Sequence, residues 1–107
     1  MNPVKSFIMN GVRWALRFSA HKYYYDFKAY SDPEKSDEPL DGYIDHATKK
    51  IWVSTETQGV DRLETIIHEA THAACPWMRE WLVLSFSKDM ARLLWRLGYR
   101  NVNEDQA

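Results

Sequence analysis

The first regular pattern along the chain begins at Val12. Val12, Trp14, Leu16 and Phe18 alternate with Arg13, Ala15, Arg17 and Ser19, the period of two that marks a half-buried strand. Tyr23 to Tyr30 is rich in aromatic residues without a clear period. Residues 31–41 hold Pro33, Pro39 and the acids Asp32, Glu34, Asp37, Glu38 and Asp41, and read as a solvated acidic loop between sheet elements. Gly42 to Asp45 and Lys50 to Val53 flank the polar turn His46-Ala47-Thr48-Lys49. They predict a β-hairpin whose Ile51 and Val53 face the core. Asp61-Arg62-Leu63-Glu64 has the spacing of a capping box, so a helix is expected to start near Arg62. Pro76 ends it and suits the first turn of a second helix, which carries Trp81, Leu82, Leu84, Phe86, Met90, Leu93, Leu94, Trp95 and Leu97 and stops at Gly98. Arg92, Arg96 and Arg100 match the negative end of its dipole, and residues 101–107 read as a flexible tail. The expected class is α+β, a small antiparallel sheet of about three strands packed on a helical hairpin.

Composition narrows the class of partner more than the fold. With 107 residues the chain fits one domain, and 45% hydrophobic and 14% aromatic residues suffice for a small core. The balance of 14 basic against 15 acidic residues does not make nucleic acid the default ligand. No apolar run approaches the roughly 20 residues of a membrane span, so no membrane is expected. A single cysteine, Cys75, and an N-terminus without an apolar export segment predict a cytoplasmic location.

Candidate chemistry lies in the first helix. His68-Glu69-Ala70-Thr71-His72 matches H-E-x-x-H, in which two imidazoles four residues apart bind one zinc ion and the glutamate serves as base. Four helical residues advance about 400° and 6 Å, so the two rings lie roughly 40° apart on one face. Glu69 stands about 100° from His68, beside the metal, where a carboxylate can take a proton from metal-activated water. A hydrolytic zinc site needs a third protein ligand and an open position. If the chain reverses near Cys75 to Trp77, residues equidistant from the turn sit side by side, which pairs His72 with Glu80 and His68 with Leu84. Glu80 is the leading candidate. Cys75, three residues after His72, is its rival, and His46, Asp45 and Asp89 remain weaker ones. His21 reads as an ordinary polar residue. Donors to a developing oxyanion are sought among Tyr43, His46, Tyr99 and Tyr23 to Tyr25.

Three stretches, Gly42 to Val53, Leu63 to Ala73 and Ala91 to Arg100, resemble small HExxH metallopeptidases of the gluzincin type. These are zincin-like proteins common in bacteriophage genomes and akin to the ImmA/IrrE-like and SprT-like groups. The resemblance covers about half the chain, and its middle stretch alone is specific for function. It implies a minimal zincin fold, Zn2+ on His68 and His72 with the downstream acid, here Glu80, as third ligand, and Glu69 as catalytic base. It also implies a protein or peptide substrate bound along an edge strand, and a host-cytoplasm location for a phage-encoded chain. Where related segments carry several acids after the helix turn, Pro76 to Trp81 leaves Glu80 alone. Two alternatives accompany the metallopeptidase expectation. One is a non-catalytic module of the same fold that binds a host regulator. The other is a DNA-associated SprT-like protein, suggested by Lys88, Arg92, Arg96 and Arg100.

Overall fold

A computed structural model describes residues 5–20, 22–23 and 39–100. The aromatic stretch 24–30, most of the acidic stretch 31–41, the tail 101–107 and His21 lie outside them. The class is α+β, a small sheet packed on a helical hairpin. Strands β1 (Ser6–Met9), β2 (Val12–Ser19), β5 (Gly42–Asp45) and β6 (Lys50–Ser54) form one sheet in the order β1-β2-β6-β5. Short strands β3 (Lys22–Tyr23) and β4 (Pro39–Leu40) pair separately, so the acidic stretch ends in a strand. Helices α1 (Gly59–Ala74) and α2 (Glu80–Arg96) follow.

The sheet is mixed rather than wholly antiparallel. β2 runs parallel to β6, with Ala15 opposite Lys50, while β1–β2 and β5–β6 are antiparallel hairpins. The added strand, β1, is joined to β2 by Asn10-Gly11, both at positive φ (52° and 79°), as a tight hairpin turn requires. Alternation places Trp14, Ile51 and Val53 in the core, with Phe7, Met9, Leu16, Phe18, Ile44, Ile66 and Ala73 around them. α1 packs on this face, touching β1, β5 and β6, and α2 packs on α1.

Two helix starts differ from expectation. α1 begins a turn early, at Gly59, whose φ of +57° lets the chain turn sharply out of β6. The Arg62 N–H already donates to the Gln58 carbonyl, so Asp61 lies inside the first turn and the Asp61–Glu64 capping box does not form. The Arg62 side chain reaches back instead, to the Thr55 carbonyl (2.9 Å) and the Thr57 hydroxyl (3.2 Å). Pro76 lies in the turn between the helices, not in α2. Cys75 ahead of it leaves the helical region (φ −133°, ψ 68°), because proline disfavours a helical residue before it, and Arg79 is extended (ψ 145°), so α2 starts at Glu80.

Val83, Ser87 and Ala91 are fully buried along one stripe of α2, and two of the three are small, which lets α2 lie close to α1. Gly98, at φ +95°, ends α2 as predicted. The N–H groups of Tyr99 and Gly98 donate to the carbonyls of Leu94 and Trp95 at 3.0 Å, a Schellman closure. No described helix is long and apolar enough to cross a membrane.

Candidate metal centre

The helical hairpin brings three donors together from two elements. His68 and His72 lie one turn apart on α1, and Glu80 is the first residue of α2, where the helix dipole favours an acid. The His68 Nε2 lies 2.9 Å from one Glu80 oxygen and the His72 Nε2 lies 2.9 Å from the other. The two imidazole nitrogens are 3.1 Å apart. Ligands about 2.0–2.1 Å from a tetrahedral zinc ion stand roughly 3.3 Å from one another, so the cluster is close to the spacing such an ion imposes. Two imidazoles and one carboxylate also form the donor set of open zinc sites, and on both counts these residues fit the ion. Burial pushes the His68 pKa down, against the attraction of Glu80, which favours the neutral ring whose lone pair a metal needs.

Glu69 sits beside this cluster, not in it. Its Oε1 is 3.9 Å from the His68 Nε2, beyond hydrogen-bond reach, and the residue is only 7% exposed. Burial, and then the charge of Glu80, raise its carboxyl pKa to about 8. Gly42 of β5 leaves the room for it. A Cβ at Gly42 would stand 2.6 Å from the Thr65 Cγ2, 3.1 Å from the Glu69 Cγ and 3.3 Å from the Trp52 carbonyl, so glycine alone lets α1 lie this close to the strand. At the far end of α1, the Asn10 side-chain amide donates to the Ala74 carbonyl and ties the helix end to the β1–β2 turn.

A cleft of about 280 Å³ opens over the four side chains, walled by Leu40, Gly42, Tyr43 and Ile44. Its β5 wall is an outer strand of the sheet. The sequence marked Gly42 as the start of a strand, not as a packing residue. A glycine opening a strand beside a helical motif was the available signal.

The rival ligands are placed elsewhere. Cys75 caps the end of α1, its N–H donating to the Thr71 carbonyl. His46 packs edge-on against Trp14, with ring centroids 5.7 Å apart. The Asp45 carboxylate accepts from the Ala47 and Thr48 N–H groups, and its hydrogen bonds with Thr48 hold its pKa below the ordinary value. Asp89 lines a groove with Arg92, Leu93, Arg96 and Leu97. Leu84 was expected opposite His68. It is half exposed, and the Glu80 carboxylate is the α2 group that meets both histidines. Of the expected oxyanion donors, Tyr43 reaches the cleft as part of β5, but strand alternation turns its ring away from Gly42 and Ile44, towards Trp52 (6.4 Å). Tyr99 lines a different groove, with Trp95 and Arg100.

Comparison of the chain with protein-family models, with curated proteins and with solved structures finds no match.

Proposed function

We infer that the protein is a zinc-dependent metallopeptidase that hydrolyses peptide bonds by activated water, with His68, His72 and Glu80 as ligands and Glu69 as general base. One observation carries this reading: three donors converge from two helices while a fourth, buried carboxyl stands beside them on the same cleft. When bound, zinc supplies a Lewis acid that acidifies water and polarises a substrate carbonyl.

The remaining work falls to the chain's own groups. Glu69 takes the proton of the attacking water on a carboxylate oxygen and later delivers it to the departing amine nitrogen. A group that takes and returns a proton works best with a pKa near neutrality, and in the metal-free protein burial and then the charge of Glu80 raise that of Glu69 above the ordinary carboxylate range. Gly42 fixes the distance between this carboxyl and β5. An extended peptide running along β5 passes the cluster, and main-chain recognition beside a strand suits a peptide substrate.

Elemental analysis after dialysis, followed by a peptide-library cleavage assay, tests the reading. About one zinc per chain is expected, lost in His68→Ala and weakened in Glu80→Ala. Glu69→Gln should keep the metal and lose cleavage by about 10²–10⁴-fold. Cleavage by Glu69→Gln at the wild-type rate would sink the assignment. Zinc binding with no cleavage of any peptide would favour the binding-module alternative, for which the exposed Trp77 (76%) and Trp81 (66%) are the available surface.

A further inference from the structure

α2 and its C-cap residue Leu97 carry a second apolar face that α1 does not cover. Leu82, Phe86, Leu93 and Leu97 are 41%, 44%, 51% and 64% exposed. At about 100° per residue they fall in a stripe roughly 60° wide, centred about 110° round the helix from the buried Val83, Ser87 and Ala91. Four large side chains half open to water along one helix line call for a partner surface.

The spacing within the stripe identifies that partner. Leu82 and Leu97 are equally distant in sequence from the midpoint between Asp89 and Met90, and so are Phe86 and Leu93. Laid antiparallel on a copy of itself about a two-fold axis through that midpoint, the stripe sets Leu82 against Leu97 and Phe86 against Leu93. The two remaining contacts repeat them by symmetry. Leu82 to Leu93 and Phe86 to Leu97 are each eleven residues, a repeat that keeps a stripe nearly parallel to the helix axis.

The charges beside the stripe agree. Asp89, Arg92 and Arg96 lie on one flank and line an open groove with Leu93 and Leu97. In the antiparallel pair the same flanks meet, and the partner's Arg92 stands about 3 Å along the axis from Asp89, within reach of its carboxylate. The two Asp89 carboxylates also face each other, about 1.5 Å apart along the axis, and the opposite copy's Arg92 is the cation that offsets their repulsion.

We propose that the chain forms a two-fold homodimer through α2, with Leu82, Phe86, Leu93 and Leu97 as its apolar seam and Asp89–Arg92 pairs across the two copies. The exposed parts of the four side chains amount to about 400 Å² per copy, and the flanking residues extend this towards the lower end of specific interfaces, the size class of weak, concentration-dependent association. Glu80 lies about 130° round α2 from the seam, so the metal centre stays open in the dimer.

Sedimentation equilibrium of the full chain from about 1 to 500 µM tests this, with a rise from 12.7 kDa to about twice that mass expected. Leu93→Glu, at an exposed position, should give monomer at every concentration, with zinc content unchanged and, at the lowest concentration, where the wild type is monomeric too, the same thermal melt. Asp89→Arg should weaken the dimer at least tenfold, and Asp89→Arg with Arg92→Asp should restore it. The register is read by mixing a Phe86→Cys chain with a Leu93→Cys chain, both carrying Cys75→Ser. Oxidation should yield the mixed 86–93 disulfide in preference to either like pair. A dimer indifferent to Leu93→Glu, or cross-linked mainly as like pairs, would overturn the proposal. So would a wild-type monomer up to 500 µM, and if Leu93→Glu then lowered the melting temperature, the stripe would belong to the chain's own further residues.

Discussion

A carboxyl group that is 7% exposed resists ionisation, and Glu69 shows the consequence in its pKa of about 8. For the metal-free protein this gives a stability profile with a definite sign. Below about pH 4.5 the carboxyl is protonated folded and unfolded, and contributes no pH dependence. Between about 4.5 and 8 the unfolded chain releases the proton while the folded chain keeps it, so stability falls as pH rises, by roughly 3–5 kcal/mol in full. Glu69→Gln removes that loss. In chelator its melting temperature should match wild type at pH 4 and exceed it increasingly up to pH 8, and equal melting temperatures at both ends would contradict the buried carboxyl. Gly42 yields a second prediction. The Thr65 hydroxyl donates to the Asp61 carbonyl at 3.0 Å, which fixes its rotamer and keeps Cγ2 facing the strand. Gly42→Ala therefore forces the helix off β5, at about 1–3 kcal/mol by denaturant unfolding. Adding Thr65→Ser removes the clashing methyl and should recover most of that loss.

Among the elements, the helical hairpin decides where His68, His72 and Glu80 meet. Ala91 is fully buried between α1 and α2, so Ala91→Leu should push the helices apart, cost about 1–3 kcal/mol and weaken zinc retention through displacement of Glu80. Gly98 gives a control of another kind. Nothing lies within 4 Å of a Cβ there, so Gly98→Ala should cost only the strain of φ +95°, about 1 kcal/mol in denaturant titration, and leave zinc retention intact. The same elements show which features a linear pattern carries. The His68–Glu69–His72 face, the β5–β6 hairpin and the Gly98 stop are local, set by neighbours within a few residues, and they were legible. Glu80 was legible because a short reversal constrains which residues can oppose His72. β1 was missed although Asn10-Gly11 between Phe7-Ile8-Met9 and Val12 is a strong hairpin signal, and four residues are a short run from which to read a period. The parallel β2–β6 pairing and the packing role of Gly42 left no local mark, because each depends on segments that meet only in the folded molecule.

On the scale of the whole molecule, most of what surrounds the candidate metal centre is contiguous: Leu40 to Ile44, α1 and the start of α2 all lie within residues 40–80. The core beneath it is not. Trp14, Leu16 and Phe18 reach Ile51 and Val53 only through the parallel register that sets Ala15 against Lys50, thirty-five residues away. Pairing at that separation closes a long loop before any contact rewards it, whereas the β5–β6 hairpin and the α1–α2 reversal close short ones. Folding kinetics should reflect this difference. Substitutions in the α1–α2 contact are expected to change the folding rate, while Leu16→Ala, in β2, should act mainly on the unfolding rate in a chevron plot. Because closure entropy grows only with the logarithm of loop length, doubling the length of chain between β2 and β6 would cost about 0.6 kcal/mol in closure. The order of the central strands therefore leaves room for chains with very different intervening segments built on one helical hairpin.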